Sequence, residues 1–372
     1  MSYTSVTEIP EFNGAPSAIQ ANAGSRFVRA CLRESVDRTP VWFLRQAGRY
    51  MPEYMAVRKH HSLLDICRTP EIAAEVTITA AERLDVDAAI IFADLLLPFT
   101  PMGVDFEFLA GEGPVVHRPI RTSEQVAGLR TDRIDDLSYV ARAIEKVAKH
   151  FSGPRADGDQ LGIIGFCGAP FTLASYMIEG ASSRNYIETK RMMYGDGKNS
   201  DVWQMLMEKL INVLVGYAQQ QIEAGADVIQ IFDSWAGALS VTDYTDFCLE
   251  PTTELVKRIQ SFGVPVIYFG VDTASLLPSM RKTGADVIGL DWRVPLDEGW
   301  KNLGHSCAVQ GNLDPITLFA PSAILKARVE EIMKAAAGRR GHIFNLGHGI
   351  VPGTPVNNVI DVVRWVREFT LS

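Results

Sequence analysis

Two short stretches, Ala224-Gly225-Ala226-Asp227-Val228-Ile229 and Thr283-Gly284-Ala285-Asp286-Val287-Ile288, repeat one local plan. Each joins a helical pattern to an apolar, β-branched run through a glycine, the residue that most readily closes a helix in the left-handed conformation. A looser version precedes Ile90. A recurring helix–turn–strand unit marks a layered α/β chain with a parallel sheet. Outward from these units, eight runs have strand length and composition: Val41–Arg45, Ala88–Ala93, Ile163–Cys167, Val228–Phe232, Val266–Phe269, Val287–Leu290, Ala308–Gln310 and His342–Leu346. Several are apolar at consecutive positions, as strands buried on both faces must be. Eight parallel strands close a barrel, so the expected fold is a single (β/α)8 TIM barrel, an architecture that accommodates 372 residues in one domain. A doubly wound open sheet would show the same repeat and is the alternative.

The helices carry their own punctuation. Thr69-Pro70-Glu71 and Thr354-Pro355 read as N-caps followed by proline at the first helical position. Ser200 or Asp201 is expected to cap the long amphipathic stretch ending near Gly225, and Ser322 to open the helix that stops near Gly338. One segment breaks the alternation. Val104–Phe108 and Val115–Ile120 flank Ala110-Gly111-Glu112-Gly113-Pro114, the pattern of a β-hairpin inserted after the second strand. Residues 1–25 are polar and aperiodic and read as a loose arm, leaving 26–372 for the barrel.

Composition narrows the function. A formal charge of −8, from 36 basic and 44 acidic side chains, argues against general affinity for nucleic acid or anionic membranes. A local arginine cluster can still dominate a site for an anionic substrate. No apolar run approaches the roughly 18 residues that span a bilayer. The N-terminus lacks the basic-then-apolar pattern of a secretory signal. Cys31, Cys67, Cys167, Cys248 and Cys307 are scattered with no CxxC pair, so neither a disulfide framework nor a zinc ribbon is expected. These features together predict a cytoplasmic protein.

In a barrel the active site lies at the C-terminal ends of the strands. The residues just past each run are Arg45 and Arg49, Asp94, the Gly165–Pro170 turn, Asp233-Ser234, Asp272, Asp291-Trp292, Asn312 to Asp314, and His348. Arginine presents a planar fork that grips carboxylates in bidentate fashion, and Gly48 with Met51-Pro52 argues that the Arg45–Tyr50 segment is an irregular loop. A solvated surface pair is the competing reading. Asp94, set between apolar neighbours, must be paired, neutral or awaiting a donor ligand, unless it only caps a turn. His348 between two glycines could bind, transfer protons or be structural. Cys167 reads as a buried filler, having no adjacent base. His305-Ser306-Cys307 offers two zinc-type ligands but no third, at the wrong end of a strand. Neither GxGxxG nor GxxxxGK[ST] is present.

Six stretches run in order along the chain: PVWFLRQAGRYMPEY from Pro40, FADLLLPFTPMG from Phe92, GFCGAPFTLASYMIEG from Gly165, FDSWAG from Phe232, QGNLDP from Gln310 and FNLGHG from Phe344. Together they resemble the uroporphyrinogen decarboxylase family, and RQAGRY, GAPFTL and NLGHG jointly are highly specific. The resemblance implies a (β/α)8 barrel, a homodimer, no metal and no organic cofactor. It also implies stepwise conversion of uroporphyrinogen III to coproporphyrinogen III with loss of carbon dioxide. Carried onto this chain, it gives Arg45 and Arg49 as holders of substrate carboxylates within the Arg45, Gln46, Ala47, Gly48, Arg49 loop, and Arg58 as a further basic wall. Asp94 resembles the acceptor of the central pyrrole N–H groups, Tyr176, Ser234 and His348 the remaining polar contacts, and Phe232 an apolar floor. Asp233 and Trp235 beside Ser234 depart from the pattern.

Chemically, losing carbon dioxide from an acetate requires somewhere for electrons to go. A pyrrole protonated at an α-carbon is such a sink, so Asp94 would support positive charge while the arginines hold carboxylates. The proton donor is left open among Arg45, His348 and Tyr176. Two rivals remain: a cobamide-linked methyltransferase on the same barrel, which needs a thiolate-rich zinc site where this chain has Tyr268-Phe269-Gly270 and His348, and a non-catalytic carrier of polyanions.

Overall fold

The computed structural model describes residues 24–109, 113–181, 183–195 and 200–370. The expected N-terminal arm lies outside the described residues as far as residue 23, and Ser25 is already buried at the head of the Arg26–Cys31 helix. Among the described residues nine strands follow in chain order: β1 Ala88–Ile90, β2 Phe106–Leu109, β3 Gly113–Val116, β4 Gly162–Gly168, β5 Val228–Asp233, β6 Val266–Gly270, β7 Val287–Gly289, β8 Ala308–Gln310 and β9 His342–Ile343. Seven of them form one parallel sheet in the order β1-β4-β5-β6-β7-β8-β9, while β2 and β3 pair antiparallel as the expected hairpin. The hairpin's tip, residues 110–112, is outside the described residues.

The first expected strand, Val41–Arg45, shrinks to a single bridge from Val41 to Phe344. Its closing role survives. Trp42 N donates to Phe344 O and Phe344 N to Pro40 O on one side, and Asp87 N donates to Val41 O on the other. Residues 40–42 therefore join the two edge strands β1 and β9. Strand length is lost because Arg45 turns into the left-handed region at φ 59° and the chain leaves the sheet.

The repeat in the sequence has a physical counterpart. Gly225 and Gly284 end their helices at φ 108° and 83°, where a side chain would be strained. The aspartate that follows then grips the start of the preceding strand twice. Asp227 N donates to Ile163 O while its Oδ2 accepts from Ile163 N at 2.8 Å. Asp286 does the same with Val266, and Asp87 with Val41.

One cap reading shifts by a residue. Ser322 opens Ser322–Ala336 as expected, behind Pro321 as N-cap, whereas Pro355, not Thr354, is the N-cap of Val356–Glu368, and Thr354 Oγ1 instead donates back to Val351 O. Thr69 does precede Pro70 at the head of Pro70–Leu84, but its hydroxyl donates to Asp65 O.

Inside the barrel a polar strut crosses the apolar core: Trp42 Nε1 donates to Gln310 Oε1 at 3.0 Å, and Gln310 Nε2 to Gln230 Oε1 at 3.2 Å. At the N-terminal end Arg26, only 3% exposed, meets Asp37, Asp87, Asp157 and Asp159. His342 is also enclosed, with Nε2 against Gly311 O, and burial pushes its imidazole down to about 4. Between that value and the ordinary 6.5 only the unfolded chain takes the proton, so stability present above pH 6.5 is lost as pH falls toward 4. The loss amounts to about 3 kcal/mol. His342→Gln is expected to flatten this slope, read as the urea midpoint between pH 7 and 4.5. Among the described residues no helix is long and apolar enough to cross a membrane.

Candidate active site at the C-terminal rim

The parallel order puts the ends of all the sheet strands on one rim. The Arg45–Tyr50 segment is an irregular loop riveted from below. Gln46 N donates to Phe43 O, Gln46 Oε1 accepts from Phe43 N, Gln46 Nε2 donates to Ala88 O, and Tyr50 Oη donates to Gln46 O at 2.6 Å. Gln46, expected among substrate contacts, is thus wholly buried, with its side chain committed to holding the loop onto β1. Arg45 and Arg49 are exposed, and Ala47 and Gly48 half-buried. Arg58, the half-buried last residue of Pro52–Arg58, donates to His61 O. Arg58 and Arg49 both act electrostatically on Tyr54, whose hydroxyl burial nonetheless pushes up.

Arg45 lies across the mouth. A Cβ at Gly349 would come within 2.4 Å of its Cδ, so the Gly347-His348-Gly349 turn needs glycine to let the guanidinium stem pass. Asp94, in the turn after β1, is half-buried with Oδ1 accepting from Leu96 N at 2.9 Å. Desolvation among Phe92, Ala93 and Leu95 lifts its carboxyl to about 6, against the pull of Leu96 N–H and Arg45. Tyr176, half-buried on the Pro170–Glu179 helix, is pushed up to about 12 by burial, with Asp94 adding to the rise and Arg45 opposing it. His348 is pulled below its ordinary value by burial, then by Arg45. Three titratable groups from three different strand ends therefore share the field of one guanidinium.

Phe232 on β5 stands edge-on to Phe166 at 5.5 Å and Phe269 at 6.1 Å, an aromatic floor beneath the mouth. Ser234, two residues on, is half-buried. Other residues flagged at strand ends turn away into braces. Asp291 accepts from Asp272 N and pairs with Arg293, Asn312 Nδ2 donates to Asp291 O and Val294 O, and Asp314 caps its own turn. Cys167 is a buried filler whose thiol burial pushes up to about 12. Arg293 went unread in the sequence. Its guanidinium lies 3.9 Å over the Trp292 ring, which meets His348 edge-on at 6.0 Å, and it acts on His348 electrostatically. Its place two residues past a strand-end aspartate was the available signal.

A family model described as uroporphyrinogen decarboxylase matches residues 22–369. The chain belongs to the uroporphyrinogen decarboxylase family. It is 62% identical over 351 residues to the uroporphyrinogen decarboxylase of Koribacter versatilis (strain Ellin345), covering 94% of this chain and 97% of that one. Identity to the uroporphyrinogen decarboxylase of Solibacter usitatus (strain Ellin6076) is 50% over 345 residues, covering 93% and 97%. Among solved structures, a methyltransferase from Methanosarcina mazei matches with a TM-score of 0.76 at 21% identity, covering 93% of this chain and 98% of that one. That likeness speaks for the barrel alone. The methyltransferase rival is set aside by the decarboxylase family match. Where it would want thiolates, this chain has Tyr268, whose hydroxyl donates to Asp233. Among the described residues no three His, Cys, Asp or Glu side chains are grouped to hold a metal ion, the His305–Cys307 pair included.

Proposed function

We propose that the decarboxylation of uroporphyrinogen, which the family assigns to this chain, takes place on the Arg45–Asp94–Tyr176–His348 rim of one barrel domain, residues 26–372. The substrate is uroporphyrinogen III and the products are coproporphyrinogen III and carbon dioxide. The observation that carries this reading is the convergence of Asp94, Tyr176 and His348 on the field of Arg45. In this reading Arg45, Arg49 and Arg58 hold the acetate and propionate carboxylates at the edge of the macrocycle, with Ala47 and Gly48 lying close beneath it. Asp94 faces the central pyrrole N–H groups, Phe232 supports the ring, and Ser234 and His348 complete the polar contacts. Gln46 serves as a positioning residue.

A proton added to a pyrrole α-carbon makes the ring cationic. The bond to the acetate carboxylate then breaks, its electron pair flows into the ring, and carbon dioxide leaves. The exocyclic methylene so formed takes up a proton to become methyl, and the ring proton is released. No external electron sink is needed, which is why the reading includes no cofactor. Ionised Asp94 stabilises the cation through a preorganised, poorly solvated charge. Of the other donor candidates beside Arg45, Tyr176 carries its proton at neutral pH, while the lowered His348 is neutral.

Anaerobic incubation of purified protein with uroporphyrinogen III tests the assignment. Coproporphyrinogen is the expected product, and tight binding without turnover would make the chain a carrier instead. Arg49→Lys is expected to weaken substrate binding about tenfold, since a point charge cannot replace a bidentate fork, and an unchanged KM would remove Arg49 from the clamp. The reading extends to a homodimer, checked by sedimentation, in a reducing cytoplasm. The five buried, unpaired cysteines support that compartment.

A further inference from the structure

Beneath the rim lies a buried carboxylate that the proposed chemistry does not use. Asp233, the last residue of β5, is wholly enclosed, and among the described residues no cation is bonded to it. Two hydroxyls satisfy it: Thr172 Oγ1 donates to Oδ1 at 2.6 Å, and Tyr268 Oη donates to Oδ2 at 2.7 Å. Tyr268 in turn meets Tyr244 Oη at 3.0 Å. Thr172, Tyr244 and Tyr268 are as fully buried as Asp233. An anion kept in so dry a place is costly, and its donors must hold fixed geometry to offset the cost.

The geometry beyond Thr172 gives that fixity a direction. Thr172 Oγ1 also accepts from Trp235 N at 3.2 Å, which ties the loop after β5 to the Pro170–Glu179 helix. Thr172 and Tyr176 lie four residues apart on that helix and so share a face. The Trp235 ring packs against Tyr176, centroids 5.7 Å apart and planes at 62°, and against Tyr186 at 5.9 Å. A closed circuit results: Asp233 to Thr172 to the Trp235 backbone, then the Trp235 ring to Tyr176 and back along the helix to Thr172. Tyr176 has one ring-wall and one helical anchor, and both are set by the same hydroxyl.

We infer that Asp233, Thr172 and Trp235 form a positioning clamp that fixes the Tyr176 hydroxyl over the reacting pyrrole. This rests on the proposed role of Tyr176. The clamp acts through Tyr176 and touches no substrate, so removing it should lower kcat and leave KM nearly unchanged. Small misplacements of a reacting group can cost up to about a hundredfold in rate.

The test is a double-mutant cycle on the full chain, with anaerobic turnover of uroporphyrinogen III and a urea midpoint for every variant. Thr172→Val is expected to lower kcat about tenfold or more, and Thr172→Ser, which restores the hydroxyl, to recover most of it. In a Tyr176→Phe background Thr172→Val should produce little further loss of kcat, although its stability cost persists. Additive losses of kcat in the two backgrounds, or a kcat that follows the urea midpoint with no rescue by serine, overturn the clamp. Full turnover by Tyr176→Phe alone overturns the role of Tyr176 and the clamp with it. Asp233→Asn, carried through the same cycle, provides the answer should the valine variant not fold.

Discussion

Asp94→Asn is expected to lose about two orders of magnitude in turnover while becoming more stable at pH 7.5. The first effect follows from removing a preorganised charge that faces the developing pyrrole cation. The second follows from the carboxyl's position. Its pKa is about 6 in the folded protein against an ordinary 3.8, so stability present below pH 3.8 is lost as pH rises through 6. At pH 7.5 the ionised group costs at most about 3 kcal/mol, less whatever water at the half-open mouth screens. An uncharged amide of the same shape avoids that cost. The gain in urea midpoint should therefore shrink toward pH 4, where wild-type Asp94 is already neutral. In wild type, kcat/KM should fall as pH drops through about 6, and that limb should vanish from the residual activity of the variant. A well-folded Asp94→Asn with near-normal turnover would take Asp94 out of the reaction.

Arg26→Met carries the largest expected stability loss, about 3–5 kcal/mol, because it takes the bonded cation from Asp159 and one of several from Asp87 in a dry site. Asp87 is wholly buried and Asp159 nearly so, and both bond to the Arg26 guanidinium. Burial alone would lower the Arg26 pKa, but Asp37, Asp159 and Asp87 together hold it above its usual value. Arg38, Arg155 and Arg367 also approach Asp87, so the cluster ties the first helix, the start of β1, the approach to β4 and the final helix into one plug at the barrel's closed end. Asp157, where Arg38 and Arg26 outweigh burial, is held down to about 2. Its contribution is present above pH 3.8 and disappears as pH falls toward 2, so the penalty of Arg26→Met should narrow in strong acid. A urea midpoint within about 1 kcal/mol of wild type at pH 7 would contradict this account.

How much of this could be read from residues alone differs from element to element. Strand positions were legible because runs such as Val287–Leu290 carry no polar side chain, the pattern expected of strands buried on both faces. Val41–Leu44 is as apolar, yet its C-terminal half is pulled out of the sheet by the left-handed turn at Arg45, which no periodicity announces. The cap read at Thr354 slipped by one residue because the proline that follows it itself serves as the N-cap. At the rim, Arg45, Asp94 and His348 were found simply by counting past strand ends. The fate of Gln46 was hidden, since a carboxamide beside two arginines reads as another ligand until its partners Phe43 and Ala88 are seen. Asp233 was hidden for the opposite reason. It sits where a functional carboxylate is expected, and only its enclosure by Thr172 and Tyr268 shows that it faces inward.

Closure of the cylinder through the single Val41–Phe344 bridge has a thermodynamic consequence. A ladder so short is the natural place for the wall to part in brief local openings, and the amides of Trp42, Phe344 and Asp87 should be the first of the wall to exchange with deuterium. The Arg45 loop hangs directly from that joint. A polyanion that binds only when the joint is shut must, by mass action, keep it shut, so substrate should slow exchange there more than anywhere else in the wall.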